Sequence, residues 1–199
     1  MNVSEAIAER RSIRKFEDRP VPRELIENVL QAATLAPSGK NAQPWRFIVL
    51  EGRKKDEVVD ILERSAASLK EAGIPIGSSE NSARIMRQSP VVILVLNPRR
   101  TAQDFKDRWD QLGCLVDTQS VGAAIQNMLL QATALGLGTL WICDVFYAET
   151  EICRHFGTSD ELLAGVAVGY PREAPAPRPR KSWQEVTTWL GSHFDCNNQ

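Results

Sequence analysis

The amino-acid sequence predicts an α/β or α+β sandwich, and three observations carry that expectation. Segments with apolar residues at helical spacing alternate with short apolar runs of strand length. One such run, PVVILVL from Pro90 to Leu96, is continuously apolar and suits a strand buried on both faces. Turn-forming clusters such as APSGKN separate the segments. Helices interleaved with buried strands pack in layers around one core.

The first element is a short helix that Ser4 can cap, running through about Arg10 into AERRSIRKF. Glu24 to Leu35 is a clearer helix, because Leu25, Ile26, Val29, Leu30 and Ala33 share one face while Glu27, Asn28 and Gln31 take the other. It stops in APSGKN, where Pro37 disfavours helical geometry at Ala36 and Gly39 tolerates a sharp turn. RFIVLE, Arg46 to Glu51, reads as a strand, followed by a helix from about Lys54 to Leu69. Gly73 to Ser79, with Pro75 and Gly77, is a loop and the best place for a mobile segment. A helix near Asn81 to Arg87 leads into the buried strand. The strongest helix signal spans about Asp117 to Leu135: Val121, Ile125, Met128, Leu129 and Ala132 form a wide stripe for core or dimer contact, and Gly136 supplies the stop. Strands around Gly138 to Ile142 and Leu163 to Val168 flank a helix at about Thr150 to Phe156. The tail from Pro171, centred on APAPRPR, can be neither a regular helix nor a central strand and must run extended over a surface.

Composition narrows the function classes. With 199 residues, 43% hydrophobic and 25% charged, one globular domain with a short appendage is expected. The balance of 24 Lys plus Arg against 25 Asp plus Glu argues against a nucleic-acid partner. No apolar run approaches the roughly 20 residues of a membrane helix, and MNVSEAIAERR lacks the apolar core of a signal peptide, so no membrane association and a cytoplasmic location are expected. The four cysteines, Cys114, Cys143, Cys153 and Cys196, form no CxxC pair, and His155 and His193 lie far apart. That pattern points to reduced thiols and to no metal site.

Against this neutral background Arg10, Arg11, Arg14 and Lys15 gather around Ser12, and Arg178 and Arg180 recur far downstream. Guanidinium groups are planar charged donors matched to phosphate oxygens, and a serine hydroxyl adds a neutral donor. Two readings stand side by side here. Either the two clusters converge on a dianion, or the first is a solvated patch and the second keeps a loop soluble; periodicity does not decide between them.

ERRSIRKFEDRPVP, APSGKNAQPWRFIVLEG, GLGTLWICDVF and GYPREAPAPRPRKSWQEVTTW, in this order over about residues 4 to 189, resemble the FMN-dependent nitroreductase and flavin reductase family. The resemblance implies an α+β fold with a central, mostly antiparallel sheet flanked by helices. It also implies an intertwined homodimer with FMN at its interface, residues 1–170 forming the domain and 171–199 a tail of the same domain that packs on the partner subunit. Carried over residue by residue, the phosphate and ribityl contacts fall on Arg10, Ser12 and Arg14, with Arg11 alongside, and on Arg178 and Arg180. Pro37, Ser38, Gly39 and Asn41 resemble the loop that covers FMN from the partner subunit. Such isologous exchange needs two-fold symmetry. Asn81 resembles the family's Asn on the pyrimidine edge of the ring, with Arg84 one turn on, and a backbone N–H at Cys143 or Asp144 would face flavin N5. Cys143 and Asp144 stand where many relatives carry Gly or Glu. Nothing basic lies near Cys143 in sequence to activate it as a nucleophile.

The activity so implied is two-electron reduction of a nitroaromatic, quinone or related small-molecule acceptor by NADPH or NADH. Hydride transfer runs through flavin N5 in ping-pong fashion. A cation at the N1 and C2 carbonyl edge, Arg14 or Arg84, would stabilise the reduced anion. No side-chain acid, base or nucleophile is required, so no catalytic residue is expected. Trp109, Phe105 and the Gly73 to Ser79 loop are candidates for the substrate cavity, Trp45 is expected to be a packing anchor, and Trp141 either lines the site or supports its strand. A flavin carrier or sensor without efficient turnover is the alternative reading.

Overall fold

Every residue of one strand, Val91–Asn97, is buried, and that strand organises the molecule. Residues 1–100 and 106–190 are described by the structure, a computed structural model. Strands β1 (Arg46–Glu51), β2 (Val91–Asn97), β3 (Gly138–Ile142) and β4 (Glu161–Gly169) form one sheet in the order β1-β2-β4-β3, with each neighbouring pair antiparallel. The fold is therefore α+β. The unbroken apolar character of β2 reflects helices on both faces of an antiparallel sheet. Val92, Leu94 and Leu96 enter a core with α3 (Gly52–Glu71), α4 (Ser79–Gln88) and α6 (Glu149–Phe156). Val91, Ile93 and Val95 enter the opposite core with α2 (Arg23–Thr34) and α5 (Arg108–Ala134). Each fully buried aliphatic side chain contributes about 1.5–3 kcal/mol. A register shift in β4 opposes Val95 to Ala164 and Leu96 to Leu162, leaving Leu163 as the extra residue. The bulge lets Leu162 and Ala164 serve opposite cores.

Several element boundaries differ from the sequence expectation. Helix α1 (Val3–Glu9) is capped by Asn2, whose Oδ1 accepts the Glu5 N–H at 3.0 Å while the Glu5 carboxylate accepts the Asn2 N–H at 2.8 Å. Ser4 lies inside that capping box and does not cap. Helix α5 begins at Arg108, nine residues before the expected Asp117, with the Asp107 carboxylate accepting the Asp110 N–H at 2.8 Å. Its early turns hide the helical signal because Trp109, Leu112, Leu115 and Val116 are apolar and exposed. Gly136, with φ 75°, ends α5 as expected. The loop after α3 closes one residue early, since Ser79 already belongs to α4. Trp45 packs against the α2/α5 core, as its role of anchor requires.

The two ends of the chain meet beside β3. Ser12 bridges Thr139 and Phe16 bridges Pro171. Ile13 N–H donates to the Thr139 carbonyl, Glu17 N–H to Tyr170 and Arg172 N–H to Lys15, each at 2.9 Å. Ile13 and Phe16 are buried and hold the segment down. A Cβ at Gly138 would lie 2.8 Å from Ile13 Cγ1, so glycine permits this approach. Beyond Pro175 the tail is exposed through Leu190 and irregular except for one 3-10 turn at Gln184–Val186. Among the described residues Cys114, Cys143 and Cys153 are free thiols. No helix there is long and apolar enough to cross a membrane. The expectations for Phe105, His193 and Cys196 lie outside the described residues.

Candidate active site

Bridging Ser12 to Thr139 places the basic run under the returning tail, and a cavity of about 580 Å³ opens between them. Arg10, Arg11, Ser12, Arg14, Arg178 and Arg180 line it, together with Ile7 and Ala8 of α1, Gln126 of α5 and Pro175 to Pro177. The two cationic clusters thus face one space.

Its electrostatics are lopsided. None of the five arginines forms an ion pair with a carboxylate among the described residues. Their donors reach only backbone carbonyls: Arg11 Nη1 those of Ala8 (2.6 Å) and Arg10 (2.9 Å), Arg14 Nη1 that of Ser12 (3.1 Å), and Arg180 Nη1 that of Pro179 (3.2 Å). The nearby carboxylate of Glu173 is occupied by the backbone N–H groups of Arg14 (2.6 Å) and Lys15 (3.2 Å). Five guanidiniums around one space, none of them ion-paired to a carboxylate among the described residues, suit an anion with several oxygens.

A second group of expected residues assembles at the far end of β3. Cys143 follows that strand and opens the 3-10 turn Asp144–Ala148. Burial, and then the charge of Asp144, push the Cys143 thiol up, which argues against a thiolate nucleophile. The Asp144 carboxylate accepts the Ser78 hydroxyl at 2.6 Å and the Ser82 hydroxyl as well. On the same helix Arg84 Nη2 donates to Asn81 Oδ1 at 2.6 Å. Asn81, Arg84, Cys143 and Asp144 do not line the arginine cavity. Trp141, half exposed on β3, approaches Gly122 of α5, one turn from the cavity residue Gln126. Trp109 is exposed on the first turn of α5, away from the cavity.

Pro37, Ser38, Gly39 and Asn41 do not line the cavity, and their loop packs on α5. The Gly39 N–H donates to Ser120 Oγ of α5 at 3.2 Å, and a Cβ at Gly39 would collide with Val116. Lys40, Asn41 and Gln43 all have positive φ, between 49° and 55°. Three departures of this kind within four residues, none of them glycine, cost energy and are typical of binding loops. Within one subunit this loop does not reach the arginine cavity.

Sequence reasoning missed Gln126, Glu173, Ser78 and Ser82. Gln126 interrupts the apolar stripe of α5 between Ile125 and Met128, a signal available in the sequence. Nothing local marks the other three, because their partners are 62 to 159 residues away.

A model of the nitroreductase family matches residues 7–170. A protein of Methanothermobacter thermautotrophicus named "Putative NADH dehydrogenase/NAD(P)H nitroreductase" is 33% identical over 183 residues, 89% of this chain and 82% of that protein. The 5,6-dimethylbenzimidazole synthase of Rhodospirillum rubrum is 30% identical over 186 residues, 88% of this chain and 85% of the synthase. A crystal structure from Desulfovibrio desulfuricans, described as a "putative nitroreductase in complex with fmn", superposes with a TM-score of 0.74 at 30% identity, covering 96% of this chain and 98% of that one. The chain belongs to the nitroreductase family and is an oxidoreductase.

Proposed function

We propose that the chain is an FMN-dependent NAD(P)H oxidoreductase of nitroreductase type, working as a homodimer on nitroaromatic, quinone or related acceptors. The observation that carries this reading is the cavity shared by the two chain ends, with five guanidiniums unmatched by any carboxylate among the described residues. A phosphate monoester of charge near -2 fits such a donor set. Arg10, Ser12, Arg14, Arg178 and Arg180 hold the phosphate and ribityl chain, with Arg11 alongside, as their common lining of the cavity supports. From Thr139, beside Ser12, to Cys143 the chain advances four residues, roughly 13 Å at about 3.3 Å per residue. An elongated cofactor anchored at Ser12 can therefore present its ring to the backbone N–H of Cys143 or Asp144.

Bound FMN supplies hydride acceptance from a reduced nicotinamide and hydride donation to the acceptor. The chain binds, orients and tunes. Arg14 or Arg84 would stabilise negative charge at the pyrimidine edge by preorganised electrostatics, and Asn81 would hydrogen-bond that edge. The Pro37, Ser38, Gly39 and Asn41 loop covers the ring from the second subunit. Dimerisation is supported by exposed apolar side chains on three elements: Val3 and Ile7 of α1, Leu112 and Leu115 of α5, and Trp183, Val186 and Leu190 of the tail. The tail packs on the partner subunit.

Anaerobic absorption spectroscopy tests the proposal. Purified protein should be yellow, NADPH or NADH should bleach it, and nitrofurazone or menadione should restore the colour. A preparation that stays colourless with added FMN overturns the reading. Colour that resists both nicotinamides leaves a flavin carrier. The identity to the Rhodospirillum rubrum synthase motivates one further reading, synthesis of 5,6-dimethylbenzimidazole. Chromatography after aerobic turnover separates the two, since a reductase returns its FMN intact.

A further inference from the structure

We propose that Asp144 is a positioning residue that fastens the head of α4 to the end of β3 through Ser78 and Ser82, and so sets the charge felt by the flavin ring. This rests on the reading above that the ring lies against the Cys143 and Asp144 backbone.

Two hydroxyls from the head of α4 converge on one carboxylate after β3. Ser78 is the residue before α4, Ser82 lies one turn inside it, and Asp144 opens the turn after β3. Both hydroxyls donate to the same oxygen, Asp144 Oδ2, that of Ser78 at 2.6 Å, and Ser82 is buried. Gly77 takes a left-handed backbone, φ 54°, beside this carboxylate, its Cβ position lying 3.8 Å from Asp144 Oδ1. The positive end of α4 faces the negative carboxylate, a favourable pairing. Asn81 and Arg84, joined to each other at 2.6 Å, ride on the same turn of helix. One carboxylate thereby fixes both groups expected at the ring, although they are more than fifty residues apart in sequence.

The charge has a second consequence. A carboxylate near the ring opposes the gain of negative charge on reduction, and two hydroxyl donors spread and partly compensate that charge. Removing the charge and removing the donors should therefore act in opposite directions on the flavin. A merely structural role would loosen the site in both cases and move both variants the same way.

The test is anaerobic spectroelectrochemical titration of FMN-loaded parent, Asp144→Asn, Ser78→Ala and the Ser78→Ala/Ser82→Ala double variant. Asp144→Asn should shift the midpoint potential positive, with threefold to tenfold stronger preference for reduced over oxidised FMN, tenfold being about 30 mV for a two-electron couple. The double variant should shift it negative, and Ser78→Ala, at an exposed and tolerant position, should shift it in that same direction by less. Hydrogen exchange of the FMN-free double variant should quicken in the first turn of α4. Potentials that stay at the parent value, or that move with the same sign in both kinds of variant, overturn the proposal while the FMN-bound parent leaves the functional reading intact. A parent that binds no FMN overturns the functional reading, and this one with it.

Discussion

The backbone N–H of Arg14 donates to Glu173 Oε1 at 2.6 Å, joining positions 159 residues apart. Lys15 N–H reaches the same oxygen at 3.2 Å, so one carboxylate fixes the backbone of the basic run against the start of the tail. Its charge has the wrong sign for the phosphate we propose there, yet its geometry holds the arginines of the cavity in place.

Glu173→Ala should therefore weaken FMN binding although it removes a negative charge. Loss of a charge-assisted hydrogen bond costs about 1.5–3 kcal/mol. Urea unfolding should show a loss of that order, and fluorescence titration should show reduced FMN affinity. Glu173→Gln keeps an acceptor and should lose less on both measures. Tighter FMN binding by the alanine variant would mean that Glu173 acts through its charge alone.

Arg14→Ala and Arg180→Ala should each remove a phosphate contact of about 1.5–3 kcal/mol. FMN affinity should fall roughly tenfold to a hundredfold, one decade per 1.4 kcal/mol. Riboflavin, without the phosphate, should bind the parent weakly and be indifferent to Arg180→Ala. Equal losses for both ligands on isothermal titration would refute the role of Arg180.

The exposed apolar face of α5 gives a prediction about assembly. Leu115 is 53% exposed in the isolated subunit. Leu115→Glu should convert a dimer to a monomer on analytical ultracentrifugation, because burying an unpaired carboxylate is strongly unfavourable. FMN binding should be lost with it, since the Pro37 to Asn41 loop would then be missing from each site. Undiminished FMN binding by a monomer would show that one subunit completes the pocket.

The Cys153 thiol is pushed up to about 11, first by burial and then by the charges of Glu149 and Asp160, and it donates to the Asp160 carbonyl at 3.3 Å. An unfolded thiol titrates at about 8.5. Between these values the unfolded chain has released a proton that the folded chain retains, so stability falls as pH rises through that window. Below it the contribution is level. Unfolding free energy measured from about pH 8 to 10 should fall less steeply for Cys153→Ser, which keeps a donor for the Asp160 carbonyl. Equal slopes would show that the thiol titrates alike in both states.

How much of this was legible beforehand depended on the range of the interaction. Ile26, Val29 and Ala33 in α2, and the unbroken run of β2, declare their elements because periodicity and burial act over a few neighbouring residues. The start of α5 was hidden because Trp109, Leu112, Leu115 and Val116 are apolar on a face that the subunit does not bury, which blurs the helical stripe. The cap of α1 was misplaced by two residues because Asn2 and Ser4 are both competent caps, and only the reciprocal bonds with Glu5 select Asn2.

The sequence by itself determined the layered fold, the family and the identity of the cationic groups, since each is written in local pattern or in motifs kept in order along the chain. Tertiary structure alone decided that Arg10 to Arg14 and Arg178 to Arg180 face one cavity, that Glu173 braces it, and that Asp144 is held by Ser78 and Ser82. The physical reason is that a hydrogen bond or a shared field acts over a few ångströms of space, while the antiparallel sheet brings together residues separated by most of the chain's length.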